Sequence, residues 1–182
     1  MCIRDRHDLS KIQLAAFTAP SQRIDGDFYD FFKHGEQSLD VVVGDVMGKG
    51  VPAALLGAAT KSHLMRAMSE LLFSTPNAVP SPQQILAAVH TEVIRQLIAL
   101  ESFITLCYAR FDLEQQHVCY VDCGHTRTIH FEALTGQCQL LTGINLPLGC
   151  MEDEVYEENV VPFAPGDAFV LYSDGLTEAR SE

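Results

Sequence analysis

Apolar and polar residues alternate with a period of two at both ends of this chain and recur at helical spacing in the middle. Residues 14–18 and 28–33 read as strands. The turn His34-Gly35-Glu36-Gln37 joins the second of these to a strand over residues 38–43. Gly48 and Gly50 then break the chain. Pro52 opens a long helix, in whose first turn its missing N–H costs nothing. Along that helix Leu55, Ala58, Ala59, Leu64, Met65, Met68, Leu71 and Leu72 recur near helical spacing and read as a core stripe. Residues 74–82 hold three prolines and predict a loop. Ser81 predicts an N-cap with Pro82 at the first helical position. The second helix runs through Ile85, Leu86, Val89, Val93 and Leu97 and ends near Leu100. The period then returns to two. Strands are expected over residues 103–113, 117–122, 128–132, 138–141, 157–161 and 168–172. Turns fall at Leu134-Thr135-Gly136-Gln137 and Ala164-Pro165-Gly166-Asp167.

Two successive helices between groups of strands argue against a parallel sheet built from strand–helix–strand units. They predict an α+β fold in which antiparallel sheets pack together with helices outside. The 182 residues suffice for one domain with its own core. Residues 1–11 fit no periodic pattern and are assigned to a linker end, which leaves residues 12–182 as the domain. The last strand runs into residues 174–180 as a helix begins, so the expected domain is incomplete at its C-terminus.

Composition narrows the function. Hydrophobic residues make up 47% and charged residues 20%, an ordinary globular balance. Twelve basic residues stand against 24 acidic ones, a formal charge of −12. Such a surface repels nucleic acid and anionic membrane, so neither is an expected partner. No apolar run approaches bilayer length, and no apolar stretch follows the charges of the N-terminus. The six cysteines, at 2, 107, 119, 123, 138 and 150, have no small-domain spacing pattern. They are expected to be reduced core thiols in a cytoplasmic protein.

The candidate chemistry lies in acidic residues placed beside strand ends. Asp27 stands in Ile-Asp-Gly-Asp-Phe-Tyr-Asp, with Asp25 and Asp30 close by in sequence. Asp45 follows Val41-Val42-Val43 and opens Gly44-Asp45-Val46-Met47-Gly48-Lys49-Gly50. Asp174 follows Phe169-Val170-Leu171-Tyr172 in Ser173-Asp174-Gly175. Carboxylates that converge on one place repel one another unless a cation lies between them, and hard oxygen ligands suit magnesium or manganese. The run from Gly44 to Gly50 is not a nucleotide phosphate loop. Only three residues separate Gly44 from Gly48, and Gly50 stands where a Ser or Thr would hold the metal. A tight turn that needs glycine for its dihedrals is the plain alternative. His117, Cys119, Cys123 and His125 alternate along strands without a paired knuckle, so they do not read as a zinc site. His125 reads as a structural turn residue.

In order, the chain presents Gly-Asp-Phe-Tyr-Asp, Gly-Asp-Val-x-Gly-Lys-Gly with a Pro-Ala-Ala-Leu-Leu helix, Phe103-Ile104-Thr105-Leu106, Cys123-Gly124-His125, Pro147-Leu148-Gly149 and Leu171-Tyr172-Ser173-Asp174-Gly175-Leu176-Thr177-Glu178-Ala179. This series resembles the SpoIIE-like and RsbU-like bacterial branch of the metal-dependent (PPM, type 2C) serine/threonine phosphatases. The resemblance runs from about Ile12 to Arg180. It implies a β-sandwich of two antiparallel sheets flanked by helices, in α-β-β-α layers. It implies hydrolysis of phosphoserine or phosphothreonine on a protein, without a covalent phosphoenzyme, using two manganese or magnesium ions. Asp45 matches the carboxylate that bridges both metals, and the Val46 carbonyl is a further ligand. Asp27 matches the acidic ligand of the first motif, with Asp30 as a second candidate. Asp174 matches a ligand of the other metal. Metals held in this way activate water and offset phosphoryl charge.

Three departures from the family pattern stand out. Asp25 occupies the place of a first glycine. Val46 and Met47 stand where the eukaryotic relatives carry a histidine, which leaves the general acid unassigned. The family's C-terminal aspartate motif would fall beyond residue 182. Lys49 is a candidate contact for substrate phosphate. The implied substrate is a phosphorylated regulator of the anti-sigma-factor-antagonist type. The implied partners are an upstream sensor, receiver or coiled-coil segment and a second copy in a homodimer. Two other readings compete: a catalytically weak pseudophosphatase or interaction module, and a nucleotide-binding domain.

Overall fold

A computed structural model describes residues 3–9, 12–19, 25–74 and 78–178. In chain order the strands are β1 (Ile3–Leu9), β2 (Ile12–Thr18), β3 (Phe28–His34) and β4 (Ser38–Val46), followed by the helices α1 (Val51–Ser74) and α2 (Pro82–Ala99). Then come β5 (Ile104–Asp112), β6 (His117–Cys123), β7 (Ile129–Glu132), β8 (Gln137–Leu140), β9 (Asn159–Pro162) and β10 (Ala168–Val170). A single 3-10 turn, Asp174–Leu176, follows. The order and type of the expected elements hold. The one addition is β1, whose backbone pairs with β2 in a region where the periodicity gave no element.

All strand pairing in these elements is antiparallel. Five strands in the order β3-β4-β5-β6-β9 form the main sheet, and β10-β7-β8 and β1-β2 form two smaller ones. The expected second sheet is therefore two separate ladders among the described residues. Both helices pack on one face of the main sheet. There Val42, Val46, Leu106, Tyr108, Val121 and Cys123 meet Leu64, Met68, Ile85, Leu86, Val89 and Leu97. The other face meets the side of the β10-β7-β8 sheet through Ala109, Phe111, Val118, Tyr120, Phe163 and Phe169. Period-two alternation along β4, β5 and β6 sorts the side chains between these two cores.

Helix α2 starts as the sequence dictates. Ser81 accepts from the Gln84 N–H, Gln84 accepts from the Ser81 N–H, and Pro82 follows the cap. Helix α1 corrects the sequence reading. Its buried positions are Ala53, Gly57, Thr60, Leu64, Ala67 and Met68, whereas Leu55, Met65 and Leu72 are exposed. The small residues face the sheet because β3 comes too close for large ones. A Cβ at Gly57 would sit 3.2 Å from the Phe28 ring and 3.3 Å from the Gly26 carbonyl. Gly44 serves the same contact, since a Cβ there would lie 2.6 Å from Phe28. Gly48 and Gly50, by contrast, have open space around them and positive φ, so they serve the turn into α1.

A buried charge network anchors the far end of β4. Asp40 is fully buried. It accepts from Arg110 Nε and Nη2 at 2.6 Å each, from the Tyr108 hydroxyl at 2.6 Å, and lies 2.8 Å from His34 Nε2. The five described cysteines are free thiols, with Cys107, Cys119 and Cys123 buried and Cys138 and Cys150 exposed. Cys2 lies outside the described residues. No helix is long and apolar enough to cross a membrane among the described residues.

Candidate metal centre

Strand pairing decides which acidic residues meet. Phe28 pairs with Gly44 across β3 and β4, so one step further out Asp27 faces Asp45. The ladder between β4 and β5 continues to Val46, with Asp45 opposite Thr105, so Asp45 lies inside the strand rather than beyond it. Strand alternation puts Val41, Val43 and Asp45 on the face toward the smaller sheets. Asp174 arrives from the other side, at the first position of the turn after β10. The Ser173 hydroxyl donates to Asp27 Oδ2 at 2.9 Å and ties that segment to the first motif. Asp25, Asp27, Asp45, Lys49 and Asp174 line one cavity of about 1700 Å³ between the layers.

The electrostatics record this convergence. Burial, then the charges of Asp27, Asp174 and Asp25, push the Asp45 carboxyl up to about 6. Desolvation also raises Asp27. The Ser173 hydrogen bond opposes that shift, and Asp174 and Asp25 add to it. Four acidic side chains thus act on one another in space, although nearly 150 residues separate the first from the last in the sequence.

Gly26 makes the room. A Cβ on it would lie 2.7 Å from the Val46 carbonyl oxygen and 3.2 Å from Asp45 Oδ1. Both oxygens therefore border one small space that any larger residue would fill. A divalent cation fits this donor set, which is all oxygen and mutually repulsive. Among the described residues, no three His, Cys, Asp or Glu side chains form a group that could hold a metal ion by themselves. Carbonyl oxygens and water would therefore complete any coordination.

Asp30 is not brought to this place. It lies three positions from Asp27, on the opposite face of β3, where Lys61 of α1 pairs with it at 3.0 Å. Lys49 borders the cavity from the exposed turn after β4. Sequence reasoning left Asp25 outside the site, although its position in the first acidic motif was a usable signal. It gave Thr105 no role and read His125 as a structural turn residue, and His125 does sit in a turn, its N–H donating to Asp122 Oδ1. The Thr105 hydroxyl lies 3.4 Å from the Asp45 carbonyl and 3.0 Å from His125 Nδ1. Burial drives the His125 ring down to about 4, against the Tyr172 carbonyl and Asp174, so the ring is neutral at ordinary pH.

A two-layered antiparallel β architecture, with helices on the main sheet and acidic side chains gathered at one end between the layers, defines the PP2C-type phosphatase fold. The PP2C phosphatase domain of SpoIIE from Bacillus subtilis superposes with a TM-score of 0.68 at 16% identity, covering 99% of this chain and 57% of that one. RsbX in complex with magnesium gives a TM-score of 0.74 at 19% identity, over 96% of this chain and 79% of that one. The profile of the Stage II sporulation protein E (SpoIIE) family matches residues 35–182, and the chain belongs to that family. The phosphoserine phosphatase RsbU of Bacillus subtilis (strain 168) is 31% identical over 171 residues, 94% of this chain. The chain spans between 30% and 48% of the length of the curated relatives it matches.

Proposed function

We propose that residues 12–182 form a metal-dependent phosphatase unit that hydrolyses phosphoserine or phosphothreonine on a regulatory protein. The observation that carries this reading is the meeting of Asp27, Asp45 and Asp174 beside Gly26 and the Val46 carbonyl. Asp27, Asp45, Asp174 and the Val46 carbonyl would hold two magnesium or manganese ions, with Asp45 as the ligand common to both, as the family resemblance implies. Bound there, divalent ions supply an activated water and offset the charge of the phosphoryl group. Asp45 and Thr105 belong to a rigid ladder, so their positions are set before substrate arrives. Lys49 stands on the cavity rim and meets the incoming phosphate. Family membership and the likeness to a phosphoserine phosphatase favour a phosphorylated protein as substrate, of the anti-sigma-factor-antagonist type. The setting is the cytoplasm, as output of a sensor, receiver or coiled-coil segment. The exposed Val51, Leu55, Met65 and Leu72 on α1 favour a homodimer.

A catalytically silent interaction module is the second reading, and it draws on the lack of a closed group of three metal-binding side chains among the described residues. One experiment separates the two. The full chain is assayed on a phosphoserine protein with and without manganese, beside Asp45→Ala. Manganese-dependent release of phosphate that Asp45→Ala abolishes, with the melting curve intact, supports the enzyme. Equal turnover in the variant refutes the assignment. No turnover in either protein favours the interaction module.

A further inference from the structure

We propose that His125 and Thr105 form a positioning clamp that fixes Asp174 relative to Asp45, a role that rests on the phosphatase reading above. The problem they solve is mechanical. Asp45 belongs to the main sheet, whereas Asp174 sits in a short turn after β10, a strand of a different sheet. Both are acidic, and they repel each other. Something must hold Asp174 in place.

The structure supplies a chain of contacts between them. Thr105 is the ladder partner of Asp45, and its hydroxyl lies 3.4 Å from the Asp45 carbonyl oxygen. The same hydroxyl lies 3.0 Å from His125 Nδ1. The hydroxyl donates to the Asp45 carbonyl, and its oxygen accepts from Nδ1–H, so one hydroxyl serves both contacts. The ring proton then sits on Nδ1. The other ring nitrogen, Nε2, is buried and has no hydrogen-bond partner among the described residues. The next residue of the same turn makes the contact on the other side: the Thr126 hydroxyl donates to the Tyr172 carbonyl. One turn therefore grips the backbone two residues before Asp174 and, through Thr105, touches the backbone of Asp45.

The turn itself is fixed. Asp122 accepts the His125 N–H at 2.9 Å and the Gly143 N–H at 3.3 Å. Gly124 has φ of +67°, and a Cβ there would lie 2.8 Å from the Pro147 ring. The His125 ring is only 9% exposed, so it is out of reach of a protein-bound phosphate and acts through its neighbours. Losing groups that orient metal ligands in this way costs metal affinity.

The test compares Thr105→Val, Thr105→Ser and His125→Ala with wild type in the full chain. Manganese binding is read by calorimetry, and turnover of a phosphoserine protein is followed against manganese and against substrate. The clamp predicts that Thr105→Val and His125→Ala weaken manganese binding about tenfold or more. Thr105→Ser, which keeps the hydroxyl, restores it. Excess manganese recovers turnover in the weakened variants, and KM for the phosphoprotein stays near wild type. If His125→Ala fails to fold, the Thr105 pair decides. Wild-type manganese affinity in Thr105→Val, beside an active wild type, overturns the clamp and leaves the phosphatase reading standing. A wild type that neither binds manganese nor turns over substrate overturns both.

Discussion

Replacing Asp45 by asparagine should stabilise the metal-free protein while removing its response to metal. The side chain keeps its size, and its amide oxygen still accepts from the Val46 N–H that the carboxylate uses. What disappears is a charge held against burial and against Asp27, Asp174 and Asp25. Raising a carboxyl from 3.8 to about 6 corresponds to about 3 kcal/mol against the ionised form. Asp45 is only half-buried, so solvent screening reduces this to about 1–2 kcal/mol. For a domain of this size the expected gain in Tm is about 2–8 °C. The sign with pH follows from linkage. The folded value lies above the unfolded one, so the penalty is present in full above about 6 and fades as the pH falls toward 3.8. The assay is thermal unfolding in chelator, wild type against Asp45→Asn, between about pH 7.5 and about pH 5 in light of that linkage. The variant should melt higher at the upper pH, and the gap should narrow on acidification. Millimolar manganese should raise the wild type alone, since only a formed site couples binding to folding. A variant that melts at or below wild type near neutrality, or a gap that is constant with pH, refutes the picture of repelling carboxylates.

Two further substitutions probe the supports. Gly26→Ala forces a methyl to within 2.7 Å of the Val46 carbonyl and 3.2 Å of Asp45 Oδ1; it should cost about 1–3 kcal/mol and abolish the manganese-induced rise in Tm, both read in one calorimetric scan. Asp40→Ala strands Arg110 and the Tyr108 hydroxyl in the core at the far end of β4; urea unfolding should show a loss of about 3–5 kcal/mol, whereas a loss below about 1 kcal/mol, the level of an exposed pair, would mean that the network is not held in the buried arrangement described.

Much of the architecture was legible in the residues because local chemistry decides it. The Ser81-Pro82 start of α2 needs only a hydroxyl, a proline and Gln84 to close its capping box. The valines of β4 and the alternation along β5 and β6 announce strands whatever surrounds them. The face of α1 was not legible. Leu55, Met65 and Leu72 look like core by hydrophobicity, yet the buried face is Ala53, Gly57 and Thr60, because Phe28 and the Gly26 backbone lie against it. Sequence spacing carries no information about that distance of approach.

The acidic site divides along the same line. The sequence by itself determined that Asp27, Asp45 and Asp174 stand beside strand ends next to glycine, where a carboxylate has room and a rigid support. Only the tertiary structure decided which of them meet. Register across β3 and β4 selects Asp27 and turns Asp30 toward Lys61, and the Ser173 hydroxyl ties the segment carrying Asp174, which comes from another sheet, to Asp27. The physical reason is range. Caps, turns and alternation act over a few residues, whereas register and sheet stacking are settled by contacts between segments far apart in the chain.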